Sequence, residues 1–305
     1  MTRPRPILLT GSHRSGSTWV GRVLASCPEV FYVHEPLNAG FAPHYLGIPN
    51  LPWYPHIHAA NEDPFRIGYE RILSGQFPPL SPQFFRPDKL LRYRFLHAIT
   101  FRWAAARRRR FLLKEPFAVF SVVWFEERFN ARSLLLVRHP AAFVASLRTK
   151  NWPFDFQSLA SQESLLAGPL RAFRDQIEAA ALHPPDLIGQ GCLLWNCVNA
   201  HLHALREEKP DRLLLRHEDL CRDPFPQFRD LFHQLRLPWS RRAERFLRAS
   251  SSARETESQK SAFWFRDSHG VARNWKSRLS AHEISRIRRE TEPVWPLFYD
   301  AADWE

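Results

Sequence analysis

The first residues with the types and spacing for chemistry are Gly11-Ser12-His13-Arg14-Ser15-Gly16-Ser17-Thr18. They follow a short apolar run, Ile7-Leu8-Leu9, and precede Trp19-Val20-Gly21-Arg22-Val23-Leu24, which is apolar at helical spacing. Strand, glycine-bounded turn and helix make the frame of a phosphate-binding loop. Glycines let successive N–H groups turn inward, and the helix N-terminus adds partial positive charge. One position departs, because Ser17 stands where that frame has the lysine that reaches a terminal phosphate. Arg14 is the nearest replacement cation. The change argues against ordinary ATP or GTP hydrolysis. It suits a 5′-phosphate whose terminal substituent carries less charge than a phosphate, and a sulfuryl group fits. An arginine would stabilise charge building on the bridging oxygen as the S–O bond breaks. A glycine-rich turn that only packs is the plain alternative.

A second anion site is expected where Leu134-Leu135-Leu136-Val137 runs into Arg138-His139-Pro140, with Ser146 two helical turns further on. An arginine at the carboxyl end of a strand lies where α/β sheets bind ligands, and its guanidinium can fork onto a phosphate. Pairing with a surface carboxylate is the competing use. Lys114, before Glu115-Pro116, ends another predicted strand and either faces the site or pairs with a neighbouring acid. Arg107, Arg108, Arg109 and Arg110 end a helix predicted over 90–110, where they either meet the helix dipole or bind an anion.

The elements that must position these residues alternate. Strands are predicted at 6–10, 30–33, 111–114, 133–137 and 213–216, with helices between them, over 117–129, 141–147 and most of 165–209 among others, and a helix over 282–291 to close the chain. That order predicts an α/β fold with a central parallel sheet flanked by helices on both faces. No repeat or composition break marks a boundary, so a single domain over 1–305 is expected. Between 36 and 94 prolines interleave with aromatics and forbid long helices, apart from a helical stretch between Pro64 and Ser74. An excursion of that length reads as a lid or pocket wall.

Composition excludes several classes. With 44% hydrophobic residues the 305-residue chain can build a large core. No apolar run approaches the roughly 18–20 residues of a membrane span, and no secretory leader is legible, so a cytoplasmic setting is expected. Cys27, Cys192, Cys197 and Cys221 form no CxxC, and His56/His58 and His201/His203 are spaced i, i+2, so no metal site is expected. The net charge of +12, from 43 Lys+Arg against 31 Asp+Glu, points either to an arginine-rich surface or to an anionic partner.

Taken in order, these segments resemble the sulfotransferases that use 3′-phosphoadenosine 5′-phosphosulfate (PAPS). Arg14-Ser15-Gly16-Ser17-Thr18-Trp19 is similar to the family's 5′-phosphosulfate loop. Arg138-His139-Pro140-Ala141-Ala142-Phe143-Val144-Ala145-Ser146 is similar to its 3′-phosphate motif, with arginine and serine eight apart. Phe31-Tyr32-Val33-His34-Glu35-Pro36 resembles the junction of carbohydrate-type and bacterial members. Leu215-Arg216-His217-Glu218-Asp219-Leu220 resembles a segment beside the cofactor. Gly270-Val271-Ala272-Arg273-Asn274-Trp275-Lys276 resembles the loop that closes over PAPS, within a closing segment at about 250–280. Two departures stand out. Ser268 and His269 occupy the place of a basic pair that Arg266 or Arg273 would have to supply, and no match to the mid-chain histidine base of cytosolic members is found.

The resemblance implies sulfuryl transfer from PAPS to an acceptor hydroxyl without a metal, and no nucleic-acid partner. Arg14 would contact the sulfuryl group, and Ser15, Gly16, Ser17 and Thr18 the 5′-phosphate. Trp19 would stack on adenine, with Arg138, Ser146, His217, Gly270, Arg273, Trp275 and Lys276 completing the nucleotide site. A hydroxyl is a weak nucleophile, so a general base is expected. Glu35 fits, since it follows a strand, precedes a proline and borders the aromatic excursion. His34 is its rival, because strand alternation turns only one of the two toward the site. Trp53, Tyr54 and Trp103 are candidates to stack on a carbohydrate, glycolipid or small-alcohol acceptor, or else to pack the core. A small-molecule P-loop kinase and a basic nucleic-acid-binding protein are the alternative readings.

Overall fold

The computed structural model describes residues 4–76, 87–251 and 273–305. Five parallel strands, β1 (Ile7–Gly11), β2 (Val30–His34), β3 (Arg110–Lys114), β4 (Arg132–Val137) and β5 (Leu213–Arg216), lie in the order β2-β3-β1-β4-β5. Helices α1 (Ser17–Ala25), α2 (Ala42–Tyr45), α3 (Asp63–Leu73) and α4 (Pro87–Ala106) fall before β3. Next come α5 (Val122–Phe129), α6 (Pro140–Lys150), α7 (Gln157–Ala160), α8 (Glu163–Ala167), α9 (Arg174–Leu182) and α10 (Leu187–Glu208). After β5 come α11 (His217–Arg222), α12 (Pro224–Gln234), α13 (Arg241–Ser251) and α14 (Ala281–Glu290). This is a P-loop-type α/β fold.

Strands β1, β3 and β4 are buried on both faces, and successive residues feed different cores. Ile7 and Leu9 of β1, Leu112 of β3, and Leu134 and Leu136 of β4 pack with Val20, Val23, Phe228, Leu231 and Leu247 from α1, α12 and α13. Leu8, Leu113 and Leu135 point the other way, into a larger core with Tyr69, Phe125, Val144, Leu194 and Val198 from α3, α5, α6 and α10. Helices therefore cover both sides of the sheet.

Topology selects the place for a site. The chain leaves β1 for the edge strand β2, returns to β3 between them, and then crosses to β4 on the other side of β1. A crevice opens outside the carboxyl ends of strands where the winding reverses, and that point is β1. Gly11 pairs with Leu136 and His34 with Lys114, so the turns after β1, β2, β3 and β4 emerge at one end of the sheet.

Several expected boundaries are corrected. α4 starts at Pro87, inside the proline-rich excursion, and stops at Ala106. None of its last turn is basic, because Arg108 adopts φ +51° and Arg110 already begins β3. The segment predicted as a helix over 117–129 opens with a 3₁₀ turn, Val119–Ser121, before α5. α14 does not close the chain either. Two 3₁₀ turns follow, Trp295–Leu297 and Ala301–Trp304, and bring Trp304 against His139 with ring centroids 4.4 Å apart.

Candidate active site

Gly16, at the N-cap of α1, has φ +94° and makes no side-chain capping bond. The first-turn N–H groups of a helix have no intrahelical acceptor, and Gly16, Ser17 and Thr18 line a cavity of about 690 Å³. A side chain is excluded at Gly16, where a Cβ would lie 2.2 Å from Cδ2 of His217. Ser15 is buried behind the loop, and its hydroxyl has no hydrogen-bond partner among the described residues. Arg14 adopts the left-handed region at φ +65°. Its Nε donates to Oγ of Ser146 at 2.9 Å, and its guanidinium lies 5.4 Å from the ring centre of Trp152.

Arg138, at the carboxyl end of β4, donates from Nη1 to the carbonyl oxygen of Arg14 at 2.6 Å. Two expected anion sites therefore form one continuous wall, Arg138 to the turn and the turn to Ser146. Behind it, Trp195 donates to the carbonyl oxygen of Arg138 at 2.8 Å, and the His139 amide donates to Glu218 at 3.0 Å. The Glu218 carboxyl also accepts from Tyr299 at 2.9 Å. His217, first residue of α11, reaches the cavity. Burial first, then Arg138, push its imidazole down to about 3, so it is neutral at neutral pH. Trp19 lines the same cavity and donates from Nε1 to Ser250 at 3.1 Å.

On the other side of the crevice, the Glu35 amide donates to the Lys114 carbonyl at 2.9 Å, extending the β2–β3 ladder by one bond. Glu35 then turns sharply, at φ +49°. A side chain in this region costs about 1–2 kcal/mol, and the turn cancels the alternation expected of His34 and Glu35. Both side chains line the cavity. The Glu35 carboxylate is ion-paired with Lys114 and accepts from Asn38 Nδ2 at 2.7 Å. Burial alone would raise this carboxyl, but Lys114, His34 and Asn38 outweigh it and hold it below the usual range. Lys114 is fully buried behind Glu35 and reaches the cavity only through it. His34 accepts or donates at 3.1 Å with Tyr32, and its ring is pushed down to about 4, by burial and then by Lys114.

Sequence reasoning missed much of the wall. His13 is held by Tyr54, whose hydroxyl accepts from the His13 amide at 3.0 Å and meets Nδ1 at 2.6 Å. Tyr54 is thus a buried support, not an acceptor contact. Phe41, Trp53, Phe117, Trp152 and Phe154 give the cavity an aromatic side, and only Trp53 stood out by its neighbours in the chain. Trp103 lies at the opposite end of the sheet. Glu115 was also missed: fully buried, it accepts from the Leu37 amide at 3.1 Å and from Tyr69 at 2.5 Å, tying the excursion to β3.

The C-terminal candidates fare differently. Trp275 does not line the cavity. It is buried and stacks on His139, with centroids 5.0 Å apart and planes at 10°. Lys276 sits 5.5 Å over that indole, and Arg273 is exposed at the start of a 3₁₀ turn, so neither lines the cavity. Gly270, Arg266, Ser268 and His269 lie outside the described residues, as does most of the expected closing segment. Among the described residues no cluster of His, Cys, Asp and Glu is placed to hold a metal ion, and no helix is long and apolar enough to cross a membrane.

A parallel sheet with a glycine-bounded loop at its switch point, two arginines beside it and no loop lysine defines a P-loop-type α/β protein. The sequence profile of the sulfotransferase family matches residues 6–241, and the chain belongs to that family. Solved structures similar to it include the sulfotransferase domain of the Synechococcus PCC 7002 olefin synthase, at 18% identity and TM-score 0.49, covering 98% of this chain and 97% of that one. The sulfotransferase domain from the curacin biosynthetic pathway is similar at 14% identity and TM-score 0.48, covering 95% and 99%. Sulfotransferase STF9 from Mycobacterium avium is similar at 13% identity and TM-score 0.46, covering 98% and 78%. No curated protein matches the sequence.

Proposed function

We propose that this sulfotransferase takes its sulfuryl group from PAPS and transfers it to a hydroxyl of a carbohydrate, glycolipid or small alcohol. The observation that carries the reading is one cavity lined by Arg14, Gly16, Ser17, Thr18 and Arg138 on one side and by Glu35 on the other. The N–H groups at the start of α1 suit the 5′-phosphate, and Arg14 the sulfuryl oxygens. Arg138, with Ser146 and His217 nearby, suits the 3′-phosphate end, and Trp19 the adenine. Phe41, Trp53 and Trp152 supply flat apolar faces for an acceptor.

The acceptor oxygen attacks sulfur in line. Its proton passes to the Glu35 carboxylate as the new S–O bond forms. The bond from sulfur to the phosphate oxygen breaks, and adenosine 3′,5′-bisphosphate leaves with that oxygen. Lys114 keeps Glu35 ionised and aimed, so it is a positioning residue. The turn at Glu35 brings His34 to the same wall, where burial and then Lys114 push its ring down to about 4. Both groups are therefore unprotonated at neutral pH, and loss of turnover in Glu35→Gln is the result that separates them.

Radiolabelled PAPS offered with a panel of hydroxylated acceptors tests the reading. Sulfated product is expected, and adenosine 3′,5′-bisphosphate should raise the melting temperature without magnesium. Stabilisation by ATP that requires magnesium, with none by the bisphosphate, would favour a kinase and overturn it.

A further inference from the structure

A second cavity, about 830 Å³, opens at the other end of the sheet, around the amino ends of the strands. Seven arginines line it, and Glu29 is the one carboxylate among the described lining residues. The four arginines at 107–110 belong here, joined by Arg5 from before β1, Arg132 from the start of β4 and Arg236 from after α12. Nothing in the sulfuryl-transfer reading uses them.

Three of them, Arg5, Arg109 and Arg110, are held by main-chain carbonyls. Arg5 donates to the carbonyls of Asn130 and Ala131 at 2.6 and 3.0 Å. Arg110 donates to the carbonyl of Arg5 at 2.6 Å and to that of Leu235, and Arg109 to that of Val30. Arg132 has a carboxylate, Asp211, at 3.1 Å. The carboxyl ends of α4, α5 and α12 each contribute about half a negative charge, and with Glu29 and Asp211 that makes roughly three and a half among the described residues beside seven arginines. The repulsion is visible at Arg110, pushed down to about 10 by burial first, then by Arg5, Arg132 and Arg236.

The backbone is strained here too. Among the described residues eight non-glycine residues have positive φ, and three are asparagines, which tolerate it. The other five are Arg14, Glu35 and Tyr54 around the first cavity, and Arg108 and Arg236 lining the second. Strain of this kind persists where the surroundings over-determine it, commonly at binding sites. Trp103 adds a flat surface, with Arg107 and Arg109 at 4.6 and 5.3 Å from its ring centre.

We infer that this cavity is a second anion-binding site, for a soluble ligand carrying two or more phosphate or sulfate groups. Guanidinium forks match such groups bidentately. The volume is that of a small-molecule pocket, and the concave shape with arginines fixed on carbonyls favours a compact polyanion over a polymer laid across a surface. The site stands apart from the sulfuryl-transfer cavity and does not depend on what binds there.

Tripolyphosphate is the probe, by calorimetry and melting temperature on the full chain, with inorganic phosphate and duplex DNA for comparison. With adenosine 3′,5′-bisphosphate present to fill the first cavity, tripolyphosphate should bind at least tenfold more tightly than phosphate, weaken steeply with salt, and do so equally in Arg138→Ala. The exposed arginines are changed together as Arg107→Ser, Arg108→Asn and Arg236→Asn. Affinity should fall at least tenfold, while the unliganded melting temperature holds or rises as repulsion is relieved. Replacing the same three with lysine keeps the charge but loses the forks, and should give an intermediate affinity. Equal affinity in wild type and the neutral triple variant, or binding lost in Arg138→Ala, would place the polyanion elsewhere and overturn the inference. DNA bound more tightly than tripolyphosphate through the same arginines would also overturn it, in favour of a nucleic-acid surface.

Discussion

Gly16→Ala perturbs the anion loop at its tightest point. The φ of +94° costs an alanine about 1–2 kcal/mol. The added Cβ would also lie 2.2 Å from Cδ2 and 2.6 Å from Nε2 of the buried His217 ring, which forces ring or loop to shift. Overpacking of this kind costs about 1–3 kcal/mol, so the total is roughly 2–5 kcal/mol. At about 2 °C per kcal/mol for a chain of this size, melting should fall by about 4–10 °C. Affinity for adenosine 3′,5′-bisphosphate should drop at least tenfold as the N–H groups are displaced. Gly47→Ala is the control, because it shares the backbone strain at φ +73° but has nothing within 4 Å. It should cost only the first part and leave nucleotide binding intact. A double-mutant cycle isolates the clash. In Gly16→Ala/His217→Ala the steric part disappears, leaving a favourable coupling of about 1–3 kcal/mol in urea unfolding. Additive behaviour, or equal losses in the two glycine variants, would refute the packing argument.

Three further outcomes follow from the Glu35–Glu115 region. Glu35→Gln should abolish turnover with nucleotide affinity nearly intact, but it strands the buried Lys114 ammonium at a cost of about 3–5 kcal/mol. Glu35→Gln/Lys114→Met should regain stability and not activity, whereas a normal rate in either variant removes the base assignment. Lys114→Met alone leaves burial to dominate at Glu35, so its carboxyl rises and the acid limb of the kcat–pH profile should move to higher pH; an unmoved limb would dissociate Glu35 from catalysis. Burial pushes the Glu115 carboxyl up to about 8. A raised folded value gives stability that is complete below the ordinary carboxylate range near 4.5. That stability is lost as pH rises toward 8, by up to about 1.4 kcal/mol per pH unit. Unfolding measured from pH 4.5 to 8 should show that decline in wild type and lose it in Glu115→Gln.

Where strands and helices alternate was legible because their signals are local. Ile7-Leu8-Leu9 and Leu134-Leu135-Leu136 are apolar on both faces, as only a covered parallel sheet requires. Gly11 and Gly16 bracket a turn whose chemistry is mostly backbone, so the loop could be read without knowing its surroundings, and the missing lysine was itself informative. Contacts between distant segments had no such signal. Trp275 and Trp152 are alike as letters. The fold buries the first against His139 and leaves the second half-exposed beside Arg14. Alternation predicted one of His34 and Glu35 in the site, and a single left-handed residue put both there. The run at 107–110 looked like the end of a helix. The early stop of α4 and the arrival of Arg5, Arg132 and Arg236 from three distant segments turned it into the wall of a cavity. Sequence alone determined the kind of loop and the order of elements, since those depend on neighbours along the chain. Tertiary structure alone decided which charges meet, since Coulombic and packing energies depend on distances in space.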